Sequence, residues 1–341
     1  MKKINLILMI LMLVATGMLF GQSDRIGTAG ATELLIPVGG RGVAMGSANL
    51  TNSIGVDAIF WNPANIARST NSVDVMVSHM TYIADIGVEF GAVGVNFQDF
   101  GSIAFSIKSL SIGDILKTTV DNPDGTGQTF APQYTTLGLS YSKMLSDRVS
   151  VGLNINYVNE TIDLVSASGL GFDFGVTYSD LGGINGFDMA VILKNIGSDM
   201  KYDGSGLWIN ATNDDQSRGE QFYKIDAASF SLPTTLDIGL GYDVAIDAEN
   251  HLNFVGTFVN HNFYTDQYKV GAEYSYDNLL FFRGGYSYTT EFESTETLYK
   301  FSAGFGINYN LSGVGVKIDY AYLPTEFFDD THLISLSLGI E

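Results

Sequence analysis

From Gly313 to Tyr322 the chain reads Gly-Val-Gly-Val-Lys-Ile-Asp-Tyr-Ala-Tyr. Successive residues of a strand point to opposite faces, so Val314, Val316, Ile318, Tyr320 and Tyr322 share one side, and Gly315, Lys317, Asp319 and Ala321 share the other. Fourteen segments of this build lie at about 73–81, 84–97, 101–111, 133–145, 148–160, 168–179, 187–197, 233–245, 250–261, 266–277, 279–290, 298–310, 312–323 and 330–341. A soluble sandwich turns the apolar face of such strands inward onto a shared core, whereas a membrane barrel turns it outward to lipid. Length separates the two. Most segments run ten residues or more, beyond the ~5–6 usual in globular strands and suited to the ~9–11 that a tilted strand needs to cross a bilayer. The count is also even, as in single-chain bacterial outer-membrane barrels. The expected fold is all-β, a transmembrane antiparallel β-barrel of about 14 strands.

The placement of charge agrees. An Arg or Lys on the lipid face at mid-bilayer costs about 2–4 kcal/mol, so charged strand residues belong on the polar face. Lys108, Asp173, Asp237, Asp243, Lys269, Glu273, Arg283, Lys317 and Asp319 all fall there by parity. They are the candidate lumen-lining residues, expected to pair with one another because unpaired buried charge is costly. The apolar stripes, such as Leu236, Ile238, Leu240 and Tyr242, are expected to face outer-membrane lipid. Tyrosines such as Tyr242, Tyr288 and Tyr320 are read as interfacial girdle residues.

Connections alternate between tight turns, such as Ser146-Asp147 and Asp277-Asn278, and long loops at about 112–132, 198–232 and 291–297. Short turns are expected on the periplasmic side and long loops outside. The gaps near 161–167 and 180–186 are of intermediate length. The 198–232 loop carries Trp208, Phe222, Tyr223 and Phe230 among acids and glycines, too aromatic for a plain linker. It is expected to fold over the barrel mouth and, with the 112–132 loop, to be a candidate for holding a protein partner.

Lys2 and Lys3 precede an uncharged apolar run from Ile4 to Phe20, followed by Gly21-Gln22-Ser23. That is the build of a secretory signal peptide, over residues 1–21, and implies export to the outer membrane of a Gram-negative cell. The chain has no Cys, which excludes disulfides, thiolate metal sites, Cys nucleophiles and a lipid-modified N-terminal cysteine. A net charge of −20, from 17 basic and 37 acidic groups, argues against nucleic acid as a partner. The 39 Gly, 18 Tyr and 22 Phe against 6 Pro suit closely packed strands with aromatic girdles.

Residues 22–72 do not alternate. Gly39-Gly40-Arg41-Gly42-Val43-Ala44-Met45-Gly46-Ser47-Ala48 leads to Phe60-Trp61-Asn62-Pro63-Ala64. Small residues this dense let a backbone pack closely, here as a plug inside the barrel of residues 73–341. Trp61, Asn62, Pro63 and Ala64 are read as plug-forming, with Asn62 capping or turning the backbone and Pro63 fixing the next turn.

This arrangement, a Gly/Ala-rich stretch and an Asn-Pro-Ala motif just before fourteen alternating strands, resembles the PorV/PorQ family. That family is similar in fold to FadL, the outer-membrane long-chain fatty-acid transporter, which has an Asn-Pro-Ala motif in its N-terminal plug. The resemblance implies an outer-membrane barrel associated with type IX secretion, without a cofactor, that receives the C-terminal signal domain of an exported cargo. One departure is the end of the chain, Leu338-Gly339-Ile340-Glu341, where outer-membrane barrels commonly carry an aromatic residue.

Catalytic signals are weak. His79, His251, His261 and His332 lack metal-ligand spacing, and no nucleophile elbow or P-loop occurs. The alternative to a secretion role is a FadL-like transporter of a hydrophobic small molecule. That reading expects an apolar pocket between plug and wall, and a lateral opening at a bulge near Gly91 and Gly94, where the alternation slips between Ala92 and Val95.

Overall fold

The computed structural model describes residues 27–212, 219–290 and 298–340. The signal peptide expected at 1–21 and the long loop expected at 291–297 lie outside the described residues. Fourteen long antiparallel strands follow the inner segment: β1 (Val73–Thr81), β2 (Gly87–Asn96), β3 (Ser102–Ser111), β4 (Gln133–Ser146), β5 (Val149–Ile162), β6 (Val165–Tyr178), β7 (Phe187–Gly197), β8 (Thr235–Ala245), β9 (Asn250–His261), β10 (Gln267–Tyr276), β11 (Leu280–Thr289), β12 (Phe301–Leu311), β13 (Val314–Leu323) and β14 (Thr331–Ile340). Each pairs with its sequence neighbours, and the sheet closes where Val73 of β1 meets Ile340 of β14. Closure leaves no edge, which lets a sheet satisfy every backbone group within lipid.

The burial pattern alternates as the sequence does. In β3, Ala104, Ser106 and Lys108 are buried while Ile103, Phe105 and Ile107 are exposed. The apolar stripe faces outward, and the inside is polar. Aromatic side chains gather toward the two ends of the outer wall: Tyr141, Tyr178, Tyr242 and Tyr276 at the short-turn end, and Tyr157, Tyr286, Tyr288 and Phe301 at the long-loop end. The nine charged residues named above share the parity of the inward face. Four charged or histidine residues of the long strands break that rule, among them His332, whose Nδ1 lies 2.7 Å from the Tyr320 hydroxyl. His79 and Glu89 lie on the outer face, half-exposed and 2.5 Å apart, so each offsets the other near the long-loop end. Lys143 has outward parity close to the end of β4, within reach of the interface along its own stem.

Two local expectations are corrected. No bulge lies at Gly91 or Gly94, because β2 pairs in unbroken register with β1 and β3. The alternation slips there because Gly94 faces inward as a seat for Val56, whose Cγ1 would lie 2.9 Å from a Cβ at that position. The ladder instead breaks in β4 between Met144 and Ser146, and between β6 and β7 around Phe172 and Phe174. The 161–167 gap is a tight hairpin, with Asp163 at φ 50°. The strands run past the expected segments through Thr161 and Ile162 on one side and Val165, Ser166 and Ala167 on the other.

Candidate functional site

Between Ala31 and Ser69 the chain runs through short turns: 3-10 helices at Thr32–Leu35, Gly55–Asp57 and Pro63–Arg68, and α-helical turns at Gly40–Ala44 and Ala58–Trp61. Val43, Ala44, Met45, Asn49, Ala58, Asn62, Ala64 and Asn65 are fully buried. Their partners are inward-facing residues of strands spread around the wall, so this segment is the plug of the barrel. Contact is close because both surfaces are small. A Cβ at Gly285 of β11 would overlap the Gly46 backbone, and one at Gly152 or Gly175 would strike Pro63 or Asn62. Gly46 itself has φ +66°, a conformation that side-chain-bearing residues rarely adopt.

The Trp61-Asn62-Pro63-Ala64 motif sits at that contact. Asn62 accepts the Ala64 N–H at 3.1 Å, capping the 3-10 turn that Pro63 opens, and its amide donates to Thr177 Oγ1 of β6 at 2.9 Å. Ser142 of β4 donates to the Ala64 carbonyl at 2.9 Å. Trp61 is buried, edge-on to Phe60 with ring centroids 4.9 Å apart.

At the short-turn end the anchor is ionic. Arg41 reaches Glu273 of β10 with two nitrogens, at 3.0 and 2.7 Å, and donates to the Asn52 carbonyl at 2.9 Å. Arg283 of β11, with no exposed side-chain surface, bridges Glu273 at 2.5 Å and Asp319 at 2.6 Å, and Lys317 adds a 3.5 Å contact to Asp319. Arg68 pairs with Asp188 of β7 at 2.8 Å. Burial alone would lower the affinity of Arg41 for its proton, but the Glu273 carboxylate overrides it and drives the value up. Burial raises the Asp57 carboxyl above its usual range, against the pull of Lys317 and Arg41.

Toward the long-loop end the lumen holds Lys108, Lys194, Asp173 and Asp237. Lys108 Nζ donates to the carbonyls of Glu33 at 2.6 Å and Ile36 at 2.5 Å, so a wall lysine grips the plug backbone. Lys108 and Lys194 both lie over the Phe60 ring, 5.2 and 4.9 Å from its centre. Lys194 contacts Asp237 at 3.4 Å. Asp173 accepts the Asn195 N–H at 2.7 Å and the amides of Asn154 and Asn156 at 3.2 and 2.9 Å. It thereby satisfies the backbone donor that the β7 bulge removes from the ladder, Asn195 standing at φ 57°. Lys108, Lys194, Asp173 and Phe60 line a cavity of about 50 Å³ together with Leu34 and Ile59. Lys269, partly exposed, lines a larger pocket of about 280 Å³ at the long-loop end with Tyr82, Tyr264, Tyr299, Val43 and Leu323. Eight wall charges singled out from sequence thus divide between two clusters and this pocket.

The sequence reading missed Arg41, Arg68, Glu33, Lys194 and Phe60 as interior contacts. Arg41 and Arg68 carried a usable signal: they are the basic residues of the described plug. The 198–232 loop is divided. Trp208–Ala211 and Gln221–Lys224 pair as a separate two-stranded sheet, with Trp208 and Phe222 exposed by 52% and 75%. Trp208 and Phe222 share one face of that hairpin, and Tyr223 lies on the other with Ile209. Phe230 does not belong to this exposed group. It pairs beside Met200, packs 5.6 Å from Tyr202 and covers Gly30 of the N-terminal segment.

No group of three or more potential metal ligands occurs among the described residues. Among solved structures, the chain is similar to the Pseudomonas putida toluene transporter TodX, with a TM-score of 0.58 at 12% identity over 89% of this chain and 97% of that one. A TodX deltaS2S3 mutant, described as a monoaromatic hydrocarbon channel, gives a TM-score of 0.58 at 13% identity over 88% and 97%. These likenesses show the fold. No curated protein matches the sequence. The family model of the type IX secretion system protein PorV matches residues 20–263, so the family and fold are those of outer-membrane transport and secretion barrels. The chain therefore belongs to the PorV family of type IX secretion system proteins, as an outer-membrane β-barrel.

Proposed function

We propose that this barrel is a non-enzymatic docking component of type IX secretion, which holds a cargo or another secretion protein at the cell surface through the hairpin of its longest loop. The observation that carries this reading is the separate two-stranded sheet of Trp208–Ala211 and Gln221–Lys224, which presents Trp208 and Phe222 exposed on one face. Exposed aromatics of this kind supply the rigid anchors on which interfaces depend. Its base is fixed by ion pairs from Lys224 to Asp203, at 2.6 Å, and from Lys201 to Asp226. The partner that best fits the family is the C-terminal signal domain of an exported protein.

The test removes residues 203–228, or replaces Trp208 and Phe222 together by Ala, and measures binding of a purified signal domain to the detergent-folded barrel. Binding should fall at least tenfold while the barrel keeps its heat-modifiable migration on gels. Unchanged binding sinks the proposal.

A second reading, carriage of a hydrophobic small molecule, is supported by the pocket of about 280 Å³ between plug and wall, where Val43 and Leu323 stand beside three tyrosines. Solvent extraction of the purified protein followed by mass spectrometry discriminates: a stoichiometric apolar compound favours carriage, and its absence removes this reading.

A further inference from the structure

Glu33 of the plug and Glu160 of β5 meet inside the barrel, 5% and 4% exposed. Ala31, Leu34, Val158, Ala167, Met200 and Leu232 form an apolar collar beside them that excludes water. Two ionised carboxylates are acceptors only and repel each other, so a hydrogen bond between them requires a shared proton. The two carboxyl groups lie within interaction range of each other, so a proton on one of them is what would join them. The nearest cation does not replace it: Lys108 of β3 spends its ammonium on the carbonyls of Glu33 and Ile36. Tyr202, from the long loop, donates its hydroxyl to Glu160 Oε2. That bond occupies Glu160 Oε2 from the side of the loop. Glu33 Oε1 has no hydrogen-bond partner among the described residues. Tyr134 of β4 completes the titratable groups around the pair.

We infer that Glu33 and Glu160 form a proton-dependent latch, which joins the first turn of the plug to the wall and to the long loop through Tyr202 and releases that turn when the proton leaves. The geometry makes release local. Residues 31–36 are held at this end by the acid pair and by Lys108, whereas the rest of the plug is anchored by Arg41 and Arg68 at the other end. Leu34 also lines the cavity beside Lys108 and Lys194, so its departure opens that cavity toward the long loops.

Burial first, and then the Glu160 charge, lifts the Glu33 carboxyl from 4.5 to about 7. A carboxyl raised in the docked state favours docking fully below its free value and loses that contribution as pH climbs to its docked value. The latch should therefore hold below pH 4.5, weaken as pH rises, and be open above about 7.

The chain has no cysteine, so a single Thr32→Cys substitution at an exposed position takes one spin label on the full-length barrel. Label mobility should rise with pH, with a midpoint near 7, and in Glu33→Gln it should stay at its low-pH value from about pH 5 to about pH 9. A flat wild-type profile, or the same rise in Glu33→Gln, overturns the inference. Should Glu33→Gln fold poorly, Glu160→Gln provides the second measurement. Removing the neighbouring charge should move the midpoint to lower pH, and an unchanged midpoint would overturn the latch.

Discussion

The two ends of the barrel interior hold the plug by different chemistry. At the short-turn end, guanidinium groups of Arg41 and Arg68 meet Glu273 and Asp188, with Arg283 locked behind them. At the long-loop end, a lysine grips backbone carbonyls, and Glu33 and Glu160 are buried within reach of each other. Arginine stays charged at any pH a cell meets and binds carboxylate with two parallel donors. A buried acid pair has no such permanence. The difference teaches that one end of the plug is a fixed anchor and the other a releasable one, and the releasable end is the one beneath the long loops.

The comparison breaks first at the anchor. Arg41→Ala leaves Glu273 with half its ionic partners, and breaking a buried pair costs about 3–5 kcal/mol. Denaturant unfolding of the detergent-folded barrel measures it; a loss below about 1 kcal/mol would show that Arg41 is not the anchor. Gly285→Ala should follow at about 1–3 kcal/mol, because the added carbon overlaps the Gly46 backbone and pushes the plug off the wall. Asn62→Ala should cost about 1–2 kcal/mol, through the lost cap on Ala64 and the abandoned hydroxyl of Thr177. The last two variants should unfold with little change in pH dependence, since they remove no charge, whereas Arg41→Ala withdraws the charge that favours ionised Asp57 and Glu273.

The other end is sharpened by pH. Wild-type stability should fall as pH rises from 4.5 toward 7, and Glu33→Gln should flatten that slope. The smallest effect on stability belongs to the loop: Trp208→Ala with Phe222→Ala should change it by no more than about 0.5 kcal/mol, since neither side chain is buried. A larger loss would mean that the hairpin packs on the barrel and is not free to bind.

Much of the wall was legible. Strands with lipid on one side and a polar lumen on the other are forced into a period of two, and nothing in their surroundings obscures it. Legibility failed where the environment changed. Beyond the apolar band the strands β5 and β6 continue through Thr161, Ile162, Val165 and Ser166, where no lipid face imposes alternation. At Gly94 a small inward residue looked like a fault in the strand, though it is a seat for Val56. In the site, the charges of the wall could be assigned to the inner face by parity, as Glu273, Arg283 and Asp319 show. Their partners could not. Phe230 looked like Trp208 and Phe222 in the sequence because aromatic content carries no direction, and only the fold turns it onto Gly30.

The sequence by itself determined that the chain makes an outward-greasy, inward-polar barrel with a small-residue segment before it, because alternation and composition are local properties that each strand displays alone. Tertiary structure decided which groups meet. Arg41 and Glu273 are separated by 232 positions, and Lys108 reaches a carbonyl 75 positions away. Such contacts depend on how a non-repeating segment docks inside a closed wall. No period in the chain encodes that docking, and it is there that a permanent ionic anchor and a titratable latch come to occupy opposite ends of one plug.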